Sequence, residues 1–180
     1  YEPEVMLTQA RRALEYLHPD NLAFRFTANW ALTSASLLMG DRATAAQASM
    51  EGIFISQKSG DVFSTILATT NLGRVRESEN QLYLAAETSR NLLPLFGDHP
   101  QPNAAEAYLG LARIHYEWND LKSAEQYGAQ SLQLARQYDR VIDRFIICEV
   151  FLSHLKLARN DVDGAAALLA QTEQSARRQN

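Results

Sequence analysis

One pattern of residues occurs four times along this 180-residue chain, with the same distances between its members each time. A leucine and a small residue come first, Gly or Asn stands eight places after the leucine, and alanine follows five places later. The copies start at Leu32, Leu72, Leu111 and Leu152, have Gly40, Asn80, Asn119 and Asn160 in the middle, and end at Ala45, Ala85, Ala124 and Ala165. Consecutive alanines are 40, 39 and 41 residues apart. A fixed period of this length is typical of stacked helical hairpins, which present surfaces for binding.

Each copy predicts a helix, a tight turn and a second helix. In the third copy, apolar residues keep the three-to-four spacing of an amphipathic helix on both sides of Asn119-Asp120. Asn tolerates a left-handed helix end, and Asp caps the helix that follows. The turn recurs at Gly40-Asp41 and Asn160-Asp161, and Asn80-Gln81 is a weaker copy because Gln caps poorly.

The predicted fold is therefore all-α, a right-handed superhelical array of antiparallel helix hairpins with a period of about 40 residues. We expect one repeat domain over residues 1–180, with hairpins at about 21–58, 60–97, 103–138 and 140–178 after a leading helix at 4–17. Both ends resemble partial hairpins without a polar capping helix, so we expect a piece of a longer protein. Uncapped end faces of this kind predict self-association.

Small residues explain how two helices of a hairpin approach closely. We expect the small residue of each copy to face its alanine, as Thr33 would face Ala45 and Gly73 would face Ala85. The leucine beside each small residue then fills the groove between the helices.

Composition excludes several classes of function. The net charge of −4 leaves no basic face for nucleic acid, so we expect no direct contact with it. The single cysteine, Cys148, rules out an internal disulfide and fits a reducing, cytoplasmic setting. The most apolar run, residues 145–152, contains Glu149 and is too short to span a bilayer, so we expect no membrane contact.

Catalytic and metal-binding motifs are also missing from the sequence. It contains no Gly-rich phosphate loop, no HExxH and no GxSxG. The four histidines are scattered and none has a second ligand at i+4. We therefore expect no enzyme activity, no catalytic residue, no cofactor and no metal site in this segment.

The positions of the small residues and of the Gly or Asn in each repeat resemble the tetratricopeptide (TPR) pattern. The units are longer than usual, however, and lack one aromatic residue. Three stretches resemble the looser repeats of MalT-like regulators of the LuxR family, which are large ATP-dependent bacterial transcription activators. These stretches are residues 72–90, residues 107–112 and, above all, residues 116–125, which read Tyr-Glu-Trp-Asn-Asp-Leu-Lys-Ser-Ala-Glu.

The resemblance implies a sensor arm, on which a small-molecule inducer or a regulatory protein or peptide acts. It also implies a nucleotide-binding switch and a helix-turn-helix elsewhere in the parent protein. Two alternatives remain: a TPR-type scaffold or adaptor that docks peptides, and the regulatory repeat segment of a kinase or cyclase.

The resemblance also implies where a ligand would bind, because the first helices of TPR hairpins line the concave face. Seven residues map to that face: Trp30, Arg74, Glu77, Arg113, Tyr116, Glu117 and His154. A row of cationic groups with an aromatic suits an acidic peptide, a phosphorylated metabolite or a carboxylate.

Ordinary structural roles compete with this interpretation. Arg74 with Glu77, and Arg113 with Glu117, are spaced for surface ion pairs within one helix. His154 lies among leucines, where a partly buried histidine is the commoner outcome. Trp118, next to the turn, is expected to pack in the core.

Overall fold

The computed structural model describes residues 2–97, 104–137 and 142–178 of the chain. Two of the predicted breaks between hairpins, at residues 98–102 and 138–139, lie outside these ranges. The helices are α1 (Pro3–Tyr16), α2 (Leu22–Leu38), α3 (Arg42–Ser59), α4 (Val62–Ser78), α5 (Leu82–Leu92), α6 (Ala104–Glu117), α7 (Leu121–Arg136), α8 (Ile142–Ala158) and α9 (Val162–Arg178). A 3₁₀ turn, Leu93–Phe96, follows α5.

The helices belong to two compact units, Tyr1–Leu95 and Phe96–Asn180. In the first unit, α1 packs on α2, α2 pairs with α3, and α4 pairs with α5. In the second unit, α6 pairs with α7 and α8 with α9. The first helices of successive hairpins also touch within each unit, α2 with α4 and α6 with α8. No strand occurs in the described residues, and the predicted all-α array of helix hairpins is confirmed.

The turn inside each hairpin has the same backbone conformation in all four copies. Gly40, Asn80, Asn119 and Asn160 have φ values of 76°, 60°, 58° and 63°, in the left-handed region. The residue after each of them donates its backbone N–H to a carbonyl five residues earlier, as from Asp41 to Ser36 at 2.9 Å and from Asp120 to His115 at 2.9 Å. These bonds satisfy carbonyls that the helix end leaves open. The predicted turn chemistry is therefore correct.

Aspartate caps the second helix in three of the four hairpins. The Asp41 and Asp120 carboxylates accept the backbone N–H of the residue three places on at 3.1 Å, and Asp161 does so at 2.9 Å. Asp61 caps α4 in the same way at 3.2 Å. Gln81 makes no such bond at the start of α5, which confirms that this copy is the weaker one.

These caps predict a loss of stability in acid. A side chain also bonds to each capping carboxylate; in the order Asp41, Asp61, Asp120 and Asp161, the partners are Thr44, Ser64, Ser123 and Lys156. Together with the backbone N–H bonds, these partners hold the pKa of all four carboxyls below the ordinary value of 3.8. A lowered pKa stabilises the fold above the unfolded-state value, and this contribution is lost as pH falls through the folded-state value.

We therefore expect the urea midpoint, followed by far-UV circular dichroism, to fall as the pH is lowered below about 4. The variant with Asn at all four positions keeps neutral caps, so its midpoint should fall less over the same range. An equal fall in both proteins would contradict the assignment of this pH dependence to the caps.

The two helices of a hairpin approach each other closely at residues that lie one helical turn further along the second helix than predicted. The Thr33 and Ser49 hydroxyls of α2 and α3 are 3.4 Å apart. A Cβ on Gly73 would be 3.6 Å from Thr88 Cγ2 and 3.9 Å from Ser89 Oγ. Thus the residues that meet the small residue follow the repeated alanine by three or four places. Ala45 and Ala85 are themselves buried.

Candidate functional site

The outward side of the first helices carries the predicted binding residues, and we name it the first-helix face. In the first unit it comprises Trp30 and Ser34 of α2 together with Arg74 and Ser78 of α4. Each pair is spaced i,i+4 and therefore lies on one side of its helix. The Ser34 hydroxyl donates to the Trp30 carbonyl at 3.0 Å. The helices α2 and α4 touch, so the two pairs stand on neighbouring helices.

Arg74 is the exposed cation of this surface. Across the described ranges, no residue forms an ion pair or hydrogen bond with its guanidinium, so the alternative of an ordinary pair with Glu77 is not observed. Glu77 is half-buried and has an interaction of its own. One turn before Arg74, the Thr70 hydroxyl is buried and has no hydrogen-bond partner in the described part of the chain. This stretch of α4 therefore offers a charge that no described residue neutralises.

Trp30 supplies the aromatic of the first unit. It is 44% exposed, and Leu38, two turns further along α2, is 68% exposed. An indole open to solvent on a helix face is available for stacking or apolar contact. The first unit therefore combines exposed apolar area with a cation on its first-helix face.

In the second unit, Tyr116 has a packing role. Its ring meets Phe151 of α8 edge-on, with centroids 6.1 Å apart, and it is only partly exposed. This contact joins the first helices α6 and α8, which sequence spacing alone does not reveal. Glu117 and His154 are exposed. The interpretation of His154 as a partly buried histidine was wrong.

Arg113 is half-buried, and its charge acts on the thiol of Cys148 in α8. Burial raises the pKa of the Cys148 thiol, the hydrogen bond between Cys148 and Ser131 lowers it, and the charges of Glu106 and Arg113 act in opposite directions. Arg113 also has a partner of its own. It is therefore less available to a ligand than Arg74 is.

An aromatic cluster lies beside the turn between α6 and α7. The His115 ring meets Trp118 edge-on at 5.2 Å and Tyr127 at 5.2 Å. His115 Nδ1 lies 3.0 Å from the Asp120 carboxylate, which ties the cluster to the helix cap. Trp118 thus packs against His115 and is half-buried, where the sequence predicted a place in the core.

Sequence reasoning missed a buried carboxylate that joins three helices. Glu149 of α8 is 2% exposed. One of its oxygens accepts a bond from Arg136 of α7 at 2.6 Å, and the other accepts one from Thr172 of α9 at 2.7 Å. Glu149 interrupts an apolar run in the sequence. This signal could have identified the buried carboxylate, since a charge at a core position requires partners.

Comparison with known families decides the identity of the repeats. The family model of the MalT-like TPR region matches residues 2–180. The chain belongs to this family. The resemblance inferred from residues 72–90, 107–112 and 116–125 is confirmed.

Solved structures with the same fold differ widely from this MalT-like TPR region in sequence. BtubC (BKLC) from P. vanneervenii is 15% identical, with a TM-score of 0.70 over 98% of this chain and 72% of its own. A putative kinesin light chain from Podosopora anserina with nearly identical TPR-like repeats is 16% identical, with a TM-score of 0.60 over 99% and 87%. A point variant of that kinesin light chain gives a TM-score of 0.63 at 16% identity over 98% and 86%. None of the curated proteins matches the chain in sequence.

The described residues also bear on two other kinds of site. None of the helices described is both long and apolar enough to cross a membrane. Within the same ranges, no three His, Cys, Asp or Glu side chains are grouped so that they could hold a metal ion. Family and fold support a helical-repeat interaction domain, a type that is typically non-catalytic.

Proposed function

We propose that this MalT-like TPR region is the sensor segment of a LuxR-family transcriptional regulator and acts in the cytoplasm. The observation that supports it is the family match over residues 2–180. In this proposal the chain works as one repeat domain of a longer polypeptide. An inducer or a regulatory protein binds it and biases a switch elsewhere in that polypeptide. Self-association through the end faces stays a prediction.

The first-helix face of the first unit is the binding surface we propose. Arg74 carries a charge that no described residue neutralises, and Trp30 adds exposed aromatic area. A guanidinium favours carboxylates and acidic peptides, and an exposed indole adds stacking or apolar contact. Glu77 is the remaining predicted residue of this face in the first unit. In the second unit, considered by itself, the corresponding residues are Arg113, Tyr116, Glu117 and His154.

The chain offers its own reporter for this proposal. Trp30 and Trp118 are the two tryptophans in the sequence, so Trp118→Phe leaves Trp30 as the only one. We expect a hexaglutamate peptide to change Trp30 emission saturably in that protein. Arg74→Ala should weaken the binding about tenfold, the effect of one charge-assisted hydrogen bond. Arg90→Ala on α5 of the same hairpin, also exposed, is the matched control and should leave binding unchanged.

The alternative of a peptide-docking adaptor gives a different pattern in the same assay. An adaptor binds extended or helical peptides and ignores small carboxylates such as citrate, whereas a small-molecule sensor responds to carboxylates of that size. Equal binding in the Arg74→Ala and Arg90→Ala proteins would refute the assignment of the face itself.

A further inference from the structure

A second candidate site lies in the first unit, between α1 and α3. Both helices pack against α2, and a cleft of about 380 Å³ opens between them. Its apolar lining includes Leu14, Leu32 and Ala48, one from each helix. Leu32 and Ala48 are buried members of one core cluster, against which Leu14 packs. The cleft therefore has a fixed apolar floor and a volume within the range of small-molecule sites.

Charged groups of both signs line the same cleft. Arg11 of α1, Arg25 of α2 and Glu51 of α3 all contribute to its wall. Arg25 Nη1 donates to the carbonyls of Leu14 at 3.3 Å and Leu17 at 3.1 Å. These bonds orient the guanidinium without neutralising it, because both acceptors are uncharged. The site thus holds a positioned cation, a second cation and one carboxylate.

The corresponding place in the second unit shows that this cleft is not a general property of the repeat. Residues 120 places further on occupy the same register, as Gly40 and Asn160 do at the turns. There Arg25 is replaced by Phe145, which is 7% exposed, and Ala48 is replaced by Leu168. Two large apolar side chains therefore stand where the first hairpin has a guanidinium and a methyl group.

The cleft and the first-helix face lie on opposite sides of α2. At 100° per residue, Arg25, Asn29 and Leu32 share one side of the helix, and Trp30 and Ser34 share the other. Asn29 is almost fully buried, and its side-chain amide donates to the Arg25 carbonyl at 3.0 Å. A ligand in the cleft is therefore separated from Trp30 by the helix.

We propose that this cleft binds a small organic carboxylate that has an apolar body and an amino group, of amino-acid to dipeptide size. Arg11 and Arg25 bind the carboxylate, Glu51 binds the amine, and the apolar body covers Leu14, Leu32 and Ala48. The inference is independent of the proposed sensor function and of the first-helix face.

The test uses L-leucine, L-phenylalanine and Leu-Leu as probes, followed by backbone NMR shifts of the full chain. We expect saturable shifts confined to α1, α2 and α3, and none with leucinamide, which lacks the carboxylate. Arg11→Gln should weaken binding about tenfold. Arg12→Gln is the matched control, because Arg12 is exposed on the same helix and does not line the cleft.

A cleft-filling variant tests the geometry separately. Ala48→Leu introduces the residue that the second unit has at the same register, Leu168. The added side chain should fill the cleft and abolish the NMR shifts, while the melting temperature stays unchanged or rises. Shifts that are absent with all three probes up to about 10 mM would overturn the proposal, since that concentration detects even millimolar dissociation constants. Equal binding by the Arg11→Gln and Arg12→Gln proteins would overturn it as well. Trp30 emission should not respond to these probes, which separates this result from that for the first-helix face.

Discussion

Replacing Leu111 by alanine should lower the free energy of unfolding of the second unit by about 2–5 kcal/mol. Leu111 is 0% exposed and begins the third copy of the repeated spacing. Its neighbours on α6, including Ala112 and Ile114, are also buried. Truncation therefore removes apolar contacts and leaves a cavity that packed neighbours refill only in part.

The measurement is urea unfolding followed by Trp118 emission in a Trp30→Phe background, because Trp118 lies in the second unit. Leu72→Ala is the matched control at the same place of the second copy, studied by Trp30 emission in a Trp118→Phe background. Leu72 is only partly buried, so its loss should cost less. Equal losses in the two variants would show that burial does not determine how much stability each repeated leucine contributes.

Replacing Glu149 by alanine should cost about 2–4 kcal/mol, because charge-assisted bonds to two neighbouring helices are lost together. The change removes the acceptor for Arg136, whose side chain is 50% exposed. It also removes the carboxylate partner of the Thr172 hydroxyl. Water can hydrate the exposed guanidinium of Arg136 in the variant. Most of the lost stability therefore comes from the buried site that Glu149 occupied.

Glu125→Ala is the matched control for this second prediction. Glu125 of α7 pairs with Arg159 at 2.7 Å, and both side chains are substantially exposed. Breaking a surface pair of this kind should cost only about 0.2–1 kcal/mol. Urea unfolding of both variants at one pH, with Trp118 as the probe, measures the difference. If the two variants lose the same stability, Glu149 does not act as the buried link between α7, α8 and α9.

The fold followed from local signals in the sequence. Gly40 and the three asparagines mark left-handed turns because few other residues adopt positive φ, and the aspartates that follow three of them cap helices through their own side chains. Such devices act over a few residues and can therefore be recognised without a structure. The contact of Gly73 with Thr88 and Ser89 depends on the register between two helices, and spacing alone placed it one turn too early.

The candidate site was less predictable for the same reason. The TPR resemblance, together with helical periodicity, indicates the side of α2 and α4 that Trp30 and Arg74 occupy. The contact between Tyr116 and Phe151 and the link from Glu149 to Arg136 and Thr172 join different helices, which only the packed structure brings together. The cleft beside α1 likewise depends on Arg25 and Ala48 in a register where the second unit has Phe145 and Leu168.

Peptide mapping of the full-length native polypeptide tests the central claim most directly. A LuxR-family regulator predicts a Gly-rich phosphate-binding loop upstream of this MalT-like TPR region and a helix-turn-helix downstream. Finding both segments in one polypeptide is the result that the proposed sensor function requires. A polypeptide that contains neither segment would contradict that function and favour the adaptor.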